Sequence, residues 1–119
     1  MVFLTTSLIG QSKEKVFFKA MAESDIETVA SLIGKRVELC LLDEQDMYGK
    51  RQAVNIVEEW LSDAKPTSFT ELHGGESKDE KTYYKVAKLM TSKGSYRVFV
   101  LIDSSTPDGT IKKIQVDAF

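Results

Sequence analysis

The sequence predicts an α+β domain in which N-terminal helices pack in the concavity of a curved antiparallel sheet. Three observations carry this. Apolar residues recur with a period near 3.6 up to Pro66, and beyond Pro66 the period falls to near two. Turn residues at Gly74-Gly75, Lys93-Gly94 and Pro107-Asp108-Gly109 then divide the second half into strands joined by short connections. The 119 residues suffice to bury one core and not two, and with 42% hydrophobic and 29% charged residues the composition is that of a folded domain. Residues 12–119 are therefore expected to form a single domain.

Taken in order, Val16, Phe17, Ala20 and Met21 share one side of a helix over residues 13–22. Ser24-Asp25-Ile26-Glu27 reads as a capping box opening a second helix. Ile26, Val29, Ala30 and Ile33 line one face of that helix, and Gly34 is expected to close it with a positive φ. Residues 37–42 form a short apolar strand ended by an acidic turn at 43–46. A third helix spans about residues 50–61, turning Ala53, Val57, Trp60 and Leu61 to one side, with Trp60 anchoring it to the core and Pro66 beyond its end. Strands over 69–73, 82–91, 96–102 and 111–116 complete an antiparallel meander.

The strand at 96–102 is apolar on both faces: Val98, Val100 and Ile102 point one way, Phe99 and Leu101 the other. Helices cover one face, so something must cover the second. A second copy of the chain is the simplest cover, giving a homodimer through Arg97, Phe99 and Leu101. The alternatives are a sheet curling over itself and an N-terminal arm lying across it.

The order helix, helix, strand, helix and four long strands over residues 12–119 resembles the nuclear transport factor 2-like fold, also called cystatin-like. Within it, Ser31-Leu-Ile-Gly-Lys-Arg-Val-Glu-Leu39, Met47-Tyr-Gly-Lys-Arg-Gln-Ala53, Ser68-Phe-Thr-Glu-Leu-His-Gly74 and Arg97-Val-Phe-Val100 resemble a bacterial family of about this size known only as a domain of unknown function. The resemblance implies a cone-shaped fold and, since such proteins usually look exported, a periplasmic or secreted protein. It supplies no catalytic residue. Residues 1–11 fit either end of that expectation. Met1 to Gly10 are apolar or small and uncharged, like the back half of a secretory signal, yet lack a positive start and carry Leu8 where a small residue is preferred. As a signal remnant they imply export, and as an arm on the fold they leave the protein cytoplasmic.

Composition removes several functions. A net charge of −2 with no basic run offers nothing to neutralise a row of phosphates, so nucleic acid is not an expected partner. One cysteine, Cys40, and one histidine, His73, allow neither an internal disulfide nor a soft-ligand metal cluster. No cofactor is expected, because Gly74-Gly75 lacks the strand-to-helix setting of a phosphate loop. No apolar run reaches the roughly 20 residues that span a bilayer.

Proton-transfer chemistry on a small substrate needs a carboxylate or imidazole in an apolar site, with a tyrosine or protonated acid to hold an oxyanion. Most carboxylates fall in expected turns or helix ends, and Asp103 and Asp117 alone lie near strand ends. His73 is the best single base. Glu71, two residues earlier, shares its side in a regular strand, and the alternative reading is an isomerase or lyase using His73 with Glu71 or Tyr84. Tyr48, Trp60, His73 and Tyr84 are the candidate ligand-binding residues, since rings with a polar end suit mixed ligands. With no evident acid and base pair, the first expectation is a non-enzymatic domain that binds a small apolar ligand or a protein partner.

Overall fold

Helix α1 (Lys13–Ala22) forms where the apolar spacing predicts it, and the computed structural model describes the chain over residues 13–76, 81–105 and 110–119. The N-terminal segment 1–11, the turn at 107–109 and residues 77–80 lie outside the described residues. Phe17, Phe18 and Met21 of α1 are fully buried, and Phe18 packs between the rings of Phe17 and Phe69 at 6.0 and 5.9 Å. Ser24 does not open the next helix. It takes a left-handed φ of 55° and closes α1, its N–H donating to the Met21 carbonyl and that of Asp25 to the Ala20 carbonyl, the paired bonds of a Schellman end. Asp25 is the cap of α2 (Ile26–Leu32), accepting from the Thr28 N–H at 3.3 Å and the Thr28 hydroxyl at 2.7 Å. Those two bonds hold the Asp25 carboxyl below its ordinary pKa.

The end of α2 also differs from the expectation. Ile33 leaves the helix in an extended conformation and begins β1 (Ile33–Leu41), so Gly34 is a strand residue and not a helix stop. A Cβ at Gly34 would only make ordinary contact with the Thr110 side chain at 3.4 Å, so packing does not require the glycine. The acidic stretch after β1 is a strand too. Leu42 turns with a φ of 56°, and β2 (Glu44–Gly49) pairs antiparallel with β1, Val37 opposite Tyr48 and Leu41 opposite Glu44. Helix α3 (Lys50–Ala64) is a turn longer than the apolar spacing suggests, and Lys65 ends it at φ 55° before Pro66.

Strands β3 (Pro66–Glu76), β4 (Thr82–Thr91), β5 (Gly94–Asp103) and β6 (Ile111–Ala118) form the expected meander within a six-stranded sheet of order β2-β1-β6-β5-β4-β3. The sheet is mixed and not purely antiparallel, because β1 lies parallel to β6. All the helices sit on one side: α1 packs on β3 and β4, α3 on β1 and β2, and α2 links the two. The inner face of the sheet supplies the core, with Val98, Val100, Ile102, Ile111 and Ile114 all inaccessible to solvent. An α+β fold with a helical layer over one face of a long-stranded sheet is what the sequence predicts.

Candidate functional site

The two halves of the helical layer cover the inner face unequally. Over β3 and β4, α1 fills the space with Phe17, Phe18 and Met21. Over β1 and β2, α3 spends its deepest stripe on Ala53, Val57, Leu61 and Ala64, leaving an open groove beside it of ≈ 710 Å³. The stripe one step around the helix, Ile56, Glu59, Trp60 and Asp63, follows i, i+3, i+4, i+7 and forms one wall. Leu39 and Leu41 of β1 form the floor, and Glu44 and Tyr48 of β2 the other wall. Trp60 is half-buried, and Tyr96 meets its ring edge-on at 5.3 Å and 82°, which fixes the indole against the groove.

The groove is apolar at its base and acidic at its rim. Leu39, Leu41 and Ile56 with the rings of Tyr48 and Trp60 make the base, and Glu44, Glu59 and Asp63 the rim. Asp63 pairs with Lys93 at 2.7 Å. Among the described residues no ion pair involves Glu44 or Glu59. Of the sequence candidates, Tyr48 and Trp60 therefore lie together here, and His73 and Tyr84 do not. The acidic rim escaped the sequence reading because Glu59 and Asp63 look like an ordinary solvated helix face. Their signal is the second stripe beside the core stripe of α3.

His73, Glu71 and Tyr84 lie at the other end of the sheet. The pairing shifts register between Glu71 and His73: Glu71 stands opposite Ala87, His73 opposite Val86. This bulge at Leu72 puts Glu71 and His73 on opposite faces, contrary to the alternation expected of a regular strand. Glu71 turns to the helix side, where Lys15 and Lys85 each approach it at 3.7 Å. His73 is exposed on the outer face, its ring edge-on to Tyr84 at 6.0 Å and lining neither the groove nor the shallow depression at Glu38 and Met47. Gly74 and Gly75 continue β3 instead of ending it. A Cβ at Gly75 would come within 2.9 Å of the Tyr84 ring, so the bare backbone is what lets that ring fold back over the edge strand.

Tyr84 in turn stacks on Phe99 at 5.4 Å and 20°, and the Lys113 ammonium stands 6.0 Å from the Phe99 ring centre. This ladder of rings partly covers the outer face from within, and Val86 beneath it is buried. Phe99 and Leu101 remain half-exposed and Arg97 exposed. Cys40 lies on this face opposite Gln115, and burial pushes its thiol pKa up, the setting of a packing residue and not of a nucleophile. Asp103 accepts from the Ser105 hydroxyl and N–H and faces Lys112 at 3.6 Å, contacts that hold its pKa low and keep it an ionised surface acid.

One buried acid was missed. Glu14 is 5% exposed, and among the described residues its Oε2 has no hydrogen-bond partner. It lies against Tyr83 of β4, whose pKa burial pushes up to about 12, with the charge of Glu14 and the hydrogen bond to it adding to the shift. Glu14, Phe17, Phe18 and Met21 follow i, i+3, i+4, i+7, so helical spacing placed this acid on the buried face, although Lys13 and Lys15 beside it suggest a solvated start. Neither Glu14 nor Tyr83 lines the groove. Among the described residues no cluster of three His, Cys, Asp or Glu side chains could hold a metal ion, and no helix is long and apolar enough to cross a membrane.

The family model described as Domain of unknown function (DUF4783) matches residues 15–117. A DUF4783 family protein from Bacteroides uniformis is similar in structure, with a TM-score of 0.80, 22% identity, and coverage of 88% of this chain and 95% of that one. A protein of unknown function with cystatin-like fold from Methylobium petroleophilum gives a TM-score of 0.66 at 8% identity, covering 87% and 71%. An NTF2-like protein of unknown function from Cytophaga hutchinsonii gives 0.62 at 10%, covering 87% and 84%. At these identities the structures establish the fold alone. None of the curated proteins matches the chain.

Proposed function

The chain belongs to the DUF4783 family of NTF2-like fold, and from that premise we propose that it is a non-enzymatic binding domain: the groove between α3 and β1–β2 takes a small ligand, and the outer sheet face pairs with a second copy. The groove carries the first part. Its volume falls within the roughly 300–1,000 Å³ of small-molecule sites, and an apolar base with a few polar groups at the rim is their usual chemistry. Catalysis through His73 needs that imidazole beside a bound substrate, and its exposed place on the outer face, away from Glu71 and the groove, argues against it.

A separate observation supports the pairing. Phe99 and Leu101 are half-exposed on the outer face, Met47 and Met90, at 48% and 38% exposure, stand elsewhere on the same face, and Phe119, 57% exposed, lies against Lys88 and Arg97 there. Apolar surface left open in this way is what a second copy covers.

A thermal-shift screen of small apolar and amphiphilic molecules tests the groove, since a ligand bound only by the folded state raises the melting temperature. Hits are expected to lose their effect in Trp60→Ala, and hits that persist there place binding elsewhere. Light scattering at micromolar concentration tests the pairing: a dimer that Phe99→Glu converts to a folded monomer is expected. A monomeric native chain would refute it.

A further inference from the structure

We propose that the groove's ligand is an organic cation, a small amine or quaternary ammonium carrying an apolar body. The inference rests on reading the groove as a ligand site and adds the charge of what it holds. Three carboxylates, on Glu44, Glu59 and Asp63, stand around an opening whose lining includes no lysine, arginine or histidine. The nearby cation Lys93 is already engaged at Asp63, which leaves Glu44 and Glu59 to face the groove without a counter-charge among the described residues.

An anionic amphiphile entering this site would bring its charge against that rim while its chain displaced water, raising the cost of every like-charge contact. A cation meets the reverse situation. Its apolar body covers Leu39, Leu41 and Ile56, its head lies within reach of the carboxylates, and the rings of Trp60 and Tyr48 offer π faces to an ammonium group. Tyr96 holds the indole in place before any ligand arrives, so little side-chain ordering opposes binding. The volume suits a free small molecule rather than a folded partner.

Trp60 is the sole tryptophan, so its fluorescence reports the groove directly. The probes are octylammonium and octyltrimethylammonium, with octanol and octanoate as the neutral and anionic counterparts, all below micelle formation and at one ionic strength. Both cations are expected to change the Trp60 emission saturably and to bind about ten-fold more tightly than octanoate, with octanol between them. Glu44→Gln with Glu59→Gln, at two exposed positions, should remove most of that preference, lowering cation affinity far more than octanol affinity. Octanol or octanoate binding as tightly as the cations would overturn the charge assignment while leaving the groove a ligand site. A basic peptide that saturates Trp60 where neither small cation does would overturn the small-molecule assignment. No saturable change with any probe would overturn the groove reading as well.

Discussion

The two ends of the inner face each lie under a helix yet reach opposite outcomes. At the β3–β4 end, α1 brings Phe17, Phe18 and Met21 down onto the sheet, and all three are buried to within 1% exposure. At the β1–β2 end, α3 brings Ala53 and Val57, and Leu41, Tyr48, Ile56 and Trp60 remain only partly buried. Helix side-chain volume is the difference. Large side chains seal a sheet, and small ones on the innermost stripe leave the next stripe to line a groove. Polar groups follow the same division. The sealed end traps one carboxylate, Glu14, against a phenol, and the open end places three at its rim in reach of water. The sealed end thus supplies buried core, and the open end leaves the groove that we propose as the binding surface.

The largest effect that would break this comparison is at Phe17. Phe17→Ala removes a fully buried ring and is expected to cost about 3–5 kcal/mol in denaturant unfolding, whereas half-buried Trp60→Ala should cost about 1–2 kcal/mol. Similar costs at the two positions would mean that the groove end is as much a core as the sealed end. Next comes Tyr83→Phe, which takes a donor from buried Glu14 and should cost about 1–3 kcal/mol near neutral pH. Its pH signature is distinct. With Tyr83 raised from about 10 to about 12, the folded state holds the phenolic proton after the unfolded state has released it. That contribution is complete below pH 10 and is lost as pH rises to about 12, so native stability should fall more steeply across this window than that of Tyr83→Phe. Parallel curves would remove Tyr83 from the buried seam.

Much of the sealed end was legible from the sequence, because α1 and β5 carry their apolar residues at undisturbed periods and nothing local competes with them. The open end was less so. Strand β2 has the sequence Glu44-Gln-Asp-Met-Tyr-Gly49 with no apolar alternation, since as an edge strand it pairs on one side and is mostly exposed. Only pairing with β1 reveals it. The separation of His73 from Glu71 was hidden for another reason: a single inserted residue at Leu72 reverses the faces, and nothing in Glu71-Leu72-His73 marks a bulge. Ser24 misled through its own chemistry, because Ser-x-x-Glu is a good helix start even where the serine is needed to end the helix before it. Trp60 and Tyr48 were found as ring-bearing candidates, but what joins them is the approach of α3 to β2, a long-range fact.

The smallest expected effect sharpens the division of labour at the open end. Lys93 and Asp63 form the shortest ion pair of the described residues at 2.7 Å, but their side chains are 53% and 70% exposed. Water and salt screen such a pair, and holding two long side chains in place offsets much of the attraction, so Lys93→Ala should change unfolding free energy by less than about 1 kcal/mol. At the groove the same change frees a carboxylate. Octylammonium should then bind about two- to three-fold more tightly, an advantage that shrinks as salt is raised, because Asp63 joins Glu44 and Glu59 in facing the ligand. Titrating Trp60 fluorescence in both proteins at low and high salt measures this directly. A large loss of stability with unchanged affinity would assign the pair to the fold, and the open end would then resemble the sealed end in using its charges to hold itself together.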